Sequence, residues 1–557
     1  MSLLLAHRKK LLVLLLLIAI WAYLRPSLST YKQSLDDGIH LPSLTRHKAR
    51  TEHPIEILAK DAEKEYASLV KRQSGTLAEA SAEYKRRYNR EPPPGFGVWF
   101  NKAKEANSSI IDDYDTITAR LEPYFGISPK DLRARVAMVL GTTSIEGYTI
   151  DEHHNLIYVN STGWNEAKFR GLLEPYLQYL PAMDFAINGL DEPRVVVPRD
   201  RLEEHYETTC PTAINDTQQQ RQSFDWIELK HQAIWPFATL SCREDSPSRS
   251  IAFEPPKHRP FDFLKNVTSN KDICNFPEAA ASHGFFASPI SFQVTTHLIP
   301  ILSQSGLSIC QDLLFPPNYE GDADEDSDPP WEEKTNTLYW AGGNTGGYAQ
   351  KKGDWHHMHR QRFVSLVNDA SRPIQLLSNE ASGKWESYED TMASLADKIN
   401  VKFGGAPSYC DDAGCKAMGS DLPFGESDDK SAAYQSRLLF DVDGNVSTFR
   451  FYRLLNSRST LLKQTIFQEW HDERLVPWYH YVPVSLGMEE LPELLRYLME
   501  DERGQEIARE IAEKGRQGKQ ELLRDADMGL ALFRVMLEYA RLIDDERDQA
   551  NGKCPAR

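Results

Sequence analysis

Thr337-Leu338-Tyr339-Trp340-Ala341-Gly342-Gly343-Asn344-Thr345-Gly346-Gly347 is a short apolar strand that runs into a glycine-rich turn, and the basic stretch His359-Arg360-Gln361-Arg362 follows it. Strand, glycine loop and helix in that order form the repeating unit of an α/β domain. Glycines let backbone N–H groups approach an anion, and the planar fork of arginine suits phosphate oxygens. The spacing is neither the Gly-x-Gly-x-x-Gly of a dinucleotide fold nor a Gly-Lys-Ser/Thr loop. A phosphate cradle built on Gly342, Gly343, Thr345, Arg360 and Arg362 and a plain structural turn are therefore both open.

Working outward, the same alternation appears on either side. The runs 135–140 and 183–188 read as strands, and 166–179 reads as a helix. Asp191 lies just past the second of these strands, in Ile187-Asn188-Gly189-Leu190-Asp191-Glu192-Pro193. Ligand-facing carboxylates gather at such strand ends, although an Asp before Pro is also an ordinary turn residue. Downstream, Asp441-Val442-Asp443-Gly444 has the Asp-x-Asp form that can chelate a divalent ion. It reads equally as a tight turn between strands 438–440 and 447–450, with Ser447 and Arg450 placed as further phosphate partners. His356-His357-x-His359 lacks the Glu of a zinc protease and reads as surface or packing histidines. Residues 489–548 read as helices with leucine-rich faces.

The 557 residues give room for about three or four domains. A formal charge of −17 argues against a nucleic-acid partner, which calls for a basic footprint. The N-terminus sets the expected compartment. His7 to Lys10 precede an uninterrupted apolar run, 11–24, bordered by Trp21, Tyr23 and Arg25-Pro26. A signal anchor with a cytosolic tail at 1–10 is expected from the basic flank, with a cleaved signal peptide as the alternative. Everything beyond Arg25 would then be lumenal, in the membrane of the Golgi or endoplasmic reticulum. Five Asn-x-Ser/Thr triplets, at Asn107, Asn160, Asn215, Asn266 and Asn445, agree with that compartment. Of seven cysteines, Cys410 and Cys415 are spaced for a local disulfide, while Cys210, Cys242, Cys274 and Cys310 leave the pairing open. The polar stretch up to Glu91-Pro92-Pro93-Pro94 reads as a solvated, partly helical stem.

Several of these segments together resemble the capsule-associated, protein O-glucosyltransferase-like family, glycosyltransferase family ninety. The resemblance rests on 339–347 with 359–362, on 440–451, and on Pro477-Trp478-Tyr479-His480-Tyr481-Val482-Pro483-Val484. It also rests on 187–193 and on a fungal-type segment from Tyr84 to Phe96. The resemblance implies an α/β fold of the GT-B type, with two Rossmann-like lobes facing a cleft. The expected organisation is a stem and helical lead-in at 25–125, an acceptor-side lobe at 126–334, a nucleotide-sugar lobe at 335–485 and C-terminal helices at 486–557. It further implies an inverting transfer of glucose or xylose from a UDP-sugar to a hydroxyl of a glycan, glycolipid or protein. Asp191 would be the base, and Gly342, Gly343, Thr345, Arg360, Arg362, Ser447 and Arg450 would hold the donor. No cofactor or essential metal is expected. One position departs from the family, Ala341 in place of a frequent Arg, and it keeps a catalytically silent sugar-binding protein in view. A metal-dependent transferase using Asp441 and Asp443 is the other alternative.

Overall fold

The computed structural model describes residues 51–160, 166–207, 224–250, 259–317, 321, 325–350, 353, 355–379 and 383–547. Thr51 groups with 379–384 as a small unit in which its hydroxyl donates to the Gly383 carbonyl at 2.9 Å. All other structure belongs to a second unit beginning at Glu52.

The fold is mixed α/β with two principal sheets. The first has five strands in the order Leu156–Asn160, Ile145–Ile150, Met183–Asn188, Ile301–Ser303, Leu313–Leu314. Its first three strands are antiparallel neighbours and its last three are parallel. Met183–Asn188 is central and has five of its six residues buried, as a near-continuous apolar run requires.

The second sheet has six strands, and every neighbouring pair is parallel. From Thr335–Gly342 the chain steps outward through Ile399–Gly404 to Phe424–Gly425. It then returns to the other side of the starting strand as Ser436–Val442 and steps outward through Thr460–Gln464 to Val482–Pro483. The loops leaving the carboxyl ends of Thr335–Gly342 and Ser436–Val442 therefore diverge. Such a reversal is where open parallel sheets form their ligand crevice.

The helices lock these sheets in place. Asp525–Ile543 is buried along most of its length and packs on Phe96–Glu105, Pro129–Val139 and Glu166–Leu173. Its Tyr539 hydroxyl donates to the Asp184 carbonyl at 2.7 Å, directly on the strand that ends before Asp191. The Trp99 indole donates to the Leu530 carbonyl at 3.0 Å, and the buried Arg534 guanidinium lies over the rings of Phe96 and Trp99.

Three sequence expectations are corrected. Residues 135–140 are not a strand, because Pro129–Val139 is a helix capped by Ser128, whose hydroxyl accepts from Asp131 N at 3.1 Å. Residues 438–449 do not form a hairpin. Ser436–Val442 pairs in parallel with Thr460–Gln464, and Arg450 instead immediately precedes the short helix Phe451–Leu455. The presumed stem does not stand off in solvent. His53, Ile55, Ala62, Leu69 and Tyr84 are buried, and His53 meets the buried Glu493 at 3.0 Å.

The apolar run 11–24 and the tail before it lie outside the described residues. Among the described residues, no helix is long and apolar enough to cross a membrane. Cys410–Cys415 forms as expected, Cys242 pairs with Cys274, and Cys310 is a buried thiol. Cys210 and Cys554 fall outside the described residues.

Candidate active site

At the reversal of the second sheet, three chain segments approach backbone to backbone, with the His359 ring packed against them. Gly346 has φ +96°, and a Cβ there would lie 2.6 Å from His359 Cε1 and 2.7 Å from the Gly444 carbonyl oxygen. A Cβ on Gly284 would lie 2.1 Å from the Gly346 carbonyl oxygen. Only glycine allows this crowding.

Arg360 sits buried beneath the crowded loops. It donates to the carbonyls of Asp443 at 2.6 Å, Gly343 at 2.7 Å and Val442 at 3.2 Å, and to the Thr345 hydroxyl at 2.7 Å. Burial, with Arg450 nearby, lowers its pKa to about 9. Arg362, on the same helix His359–Asn368, ends on the carbonyls of Gly487 at 2.8 Å, Ser282 at 3.3 Å and Leu486. The structure thus gives these two arginines to loop carbonyls and brings neither to the opening described next.

A cavity of about 160 Å³ lies beside the end of Thr335–Gly342, lined by Trp340, Ala341, Gly342, Gly343, Lys430 and Arg450 among others. Arg450 Nη1 donates to the Ala341 carbonyl at 2.9 Å, and its guanidinium carbon is 5.5 Å from the Trp340 ring centroid. Its Nε is 3.4 Å from Asp441. Asp441 also meets Lys463 at 3.4 Å and accepts from the Thr448 hydroxyl. Asp443 accepts from Ile466 N at 2.9 Å and faces His283 at 3.4 Å. Both Asp-x-Asp carboxylates are buried and engaged by protein groups. Ser447 is buried in the loop behind them.

Asp191 comes from the first sheet to meet this crevice. Its loop is held by the Asn188 side chain, which donates to the Glu192 carbonyl at 2.7 Å and accepts from Leu190 N at 3.0 Å. Solvent reaches the Asp191 carboxylate, which nonetheless lies deep enough among protein walls for desolvation to raise its pKa, while a hydrogen bond from Asn445 works against that rise. That bond, Asn445 Nδ2 to Asp191 Oδ2, measures 3.4 Å across 254 residues of sequence. The neighbouring Glu192 is buried, accepts from the Ser291 hydroxyl at 2.8 Å, and is pushed up to about 8 by desolvation. At neutral pH this favours the protonated form of Glu192.

Of the three clustered histidines, His356 and His357 are exposed and His359 points inward. His359 stacks on the buried His283 with ring centroids 3.8 Å apart. Gly284 N donates to His359 Nδ1 at 3.2 Å, which leaves Nε2–H to donate to the Asp443 carbonyl at 2.8 Å. The partnership with His283 and the double contact of Asn445 have no signal in sequence spacing.

Comparison with known proteins agrees with the resemblance drawn from the motifs. Residues 423–553 match the family model of Glycosyl transferase family 90. The chain is 34% identical to an O-glucosyltransferase rumi homolog of Aedes aegypti over 115 residues, 20% of this chain and 28% of that protein. It is 28% identical to Protein O-glucosyltransferase 1 of Homo sapiens over 217 residues, 38% of this chain and 44% of that protein. It is 32% identical to Protein O-glucosyltransferase 3 of Rattus norvegicus over 101 residues, 18% and 19% respectively. The chain thus spans less than half the length of these curated relatives, and the family model matches its C-terminal part.

The stacked histidines make a stability prediction. Burial holds His283 down at about 3 and His359 well below its ordinary value. Both are neutral in the fold, so their contribution is complete above the unfolded value near 6.5 and is lost as pH falls below it. Each should cost about 1.4 kcal/mol per pH unit on that acid side. Chemical denaturation between pH 7.5 and 5.5 should give a steep loss in the parent chain and a shallower one in His283→Gln. Equal slopes would remove the pair from the acid response.

Proposed function

We propose that the chain is an inverting glycosyltransferase that moves glucose or xylose from a UDP-sugar to a hydroxyl, with a protein hydroxyl as the preferred acceptor. The observation that carries this reading is the meeting of Asp191 with the loops at the sheet reversal. A candidate base from one sheet there meets Asn445, whose side chain also holds the glycine loop of the other sheet. The two sheets would act as the lobes of a GT-B arrangement. The relatives' names as protein O-glucosyltransferases support the choice of sugar and of a protein acceptor.

In this mechanism Asp191 accepts the proton of the acceptor hydroxyl as that oxygen bonds to the anomeric carbon. The bond from that carbon to UDP breaks on the opposite face, and the diphosphate leaves with the electron pair. Arg450 and the backbone amides at Gly342 and Gly343 would stabilise the growing phosphate charge, and a preorganised site of this kind needs no metal. Arg360, Arg362, Thr345 and Ser447 would serve by shaping the loops. A metal bound through Asp441 and Asp443 has less support, because Lys463, Arg450, Thr448 and Ile466 already engage those carboxylates.

Asp191→Asn keeps the shape of the side chain but cannot take a proton. Turnover of UDP-glucose or UDP-xylose should drop by about two to four orders of magnitude, while UDP affinity and melting temperature hold. Near-normal turnover would place the base elsewhere, and unfolding would make Asp191 a turn residue.

Arg450→Ala leaves Asp441 with Thr448 and Lys463 and removes the guanidinium from the cavity. UDP affinity measured by calorimetry should fall by about 1.5–3 kcal/mol, the usual worth of a charged hydrogen bond. Unchanged affinity would reduce Arg450 to an ion-pair partner of Asp441.

The basic flank and the apolar run 11–24 support a single-pass anchor in the Golgi or endoplasmic reticulum membrane, with the catalytic part lumenal. In sealed microsomes the part beyond Arg25 should resist protease until detergent is added. Digestion without detergent would reverse the orientation.

A further inference from the structure

Asn445 has a side chain with two partners from opposite sides of the crevice. Its Oδ1 accepts from Gly346 N at 3.1 Å, and its Nδ2 donates to Asp191 Oδ2 at 3.4 Å. The orientation of the amide follows from chemistry. Gly346 N–H can only donate, so the amide oxygen must face it, and the amide nitrogen is left to face the carboxylate. The turn that carries Asn445 is closed by Gly444 N donating to the Val446 carbonyl at 2.7 Å, with Arg360 packed beneath Gly444.

We infer that Asn445 is a positioning residue that couples the glycine loop to the base, an assignment that rests on the proposed role of Asp191. One planar amide spans both contacts, so a movement of Gly346 on donor binding moves the group that steadies Asp191. The distance to Asp191 is long, and catalytic hydrogen bonds often reach their full strength only in the complex with substrate. Donation from Asn445 favours the ionised carboxylate, so while the glycine loop is in place Asp191 is held in the form that can accept a proton. Other charged groups nearby have partners of their own. Glu192 accepts from Ser291, Asp443 accepts from Ile466 N, and Arg360 bonds within the loops.

The test uses Asn445→Asp, which keeps the shape and the acceptor toward Gly346 but sets a second carboxylate against Asp191. A structural role predicts little change from so close an isostere. Coupling to the base predicts that the acid limb of turnover, followed as UDP released from UDP-glucose, moves up by about one pH unit or more. Asn445→Ala should move it less, because it removes a donor without adding a charge. A readout independent of turnover is a double-mutant cycle in melting temperature. The penalty of Asn445→Asp should grow between about pH 4.5 and pH 7.5 as both carboxylates ionise, and Asp191→Asn should relieve it. A pH-independent penalty that Asp191→Asn leaves in place would overturn the coupling. If the cycle shows coupling but Asp191→Asn alone retains full turnover, the base assignment fails, and with it the role of Asn445 in catalysis.

Discussion

The guanidinium of Arg360 holds the crevice together. It lies between two loops that leave neighbouring parallel strands in opposite directions, and it bonds to both. Burying an arginine is costly unless its donors are satisfied, and here three carbonyls and one hydroxyl do so. The loops can therefore part only by stranding a charge. Glycines at 346 and 444 let the strand ends come this close, and the stacked His283 and His359 close the joint from the other side. The crevice is consequently preorganised by backbone, with few exposed side chains needed to shape it.

The side that carries Asp191, the proposed base, is held by different means. The strand Met183–Asn188 is fixed by Tyr539 from the last helix and its loop by Asn188, so the position of Asp191 depends on the far end of the chain. The two adjacent carboxyls then sit in different surroundings. Desolvation pushes the enclosed Glu192 up to about 8, while Asp191, also raised by desolvation, is reached by solvent and has the Asn445 donor working against that rise. Different surroundings for neighbouring acids are one way a site can give them different roles.

The strand-loop-helix unit was legible because a short apolar run leads into a glycine-rich turn and a basic helical stretch follows. Met183–Asn188 was legible as an apolar run too. Residues 135–140 misled because five of its six residues are aliphatic or arginine stem, which suits either element, and the capping Ser128-Pro129 lies outside the window. The expected hairpin at Asp443-Gly444 failed because a turn dipeptide does not tell which strand its neighbours will pair with. That choice is made by Thr460–Gln464, a buried strand later in sequence. The residues 54–88 were read as solvated because their apolar positions are few. Those few, with His53 ahead of them, are the ones the C-terminal helices and the segment around Tyr479 cover. In the site, residue types were legible and directions were not. Arg360, Arg362 and Arg450 have the same chemistry in sequence, and only Arg450 reaches the cavity.

Ala341 looks like a loss when sequence alone is considered, since a family arginine is missing beside the glycine loop. Its surroundings show how the cationic character of the region is kept. A small side chain at 341 borders the cavity, and the neighbouring carbonyl anchors Arg450, which comes from the start of Phe451–Leu455. Arg453, one turn along that helix, and Lys430 line the same cavity. Positive charge is thus supplied from the loop and helix after the Asp-x-Asp motif instead of from the strand before the glycines. Asp441 balances part of that charge through Arg450 and Lys463. An approaching diphosphate would exchange one anionic partner of Arg450 for another without requiring the guanidinium to leave its place over Trp340. If Arg450 holds the diphosphate as proposed, the substitution at 341 relocates the phosphate contact to the loop after the Asp-x-Asp motif and does not remove it.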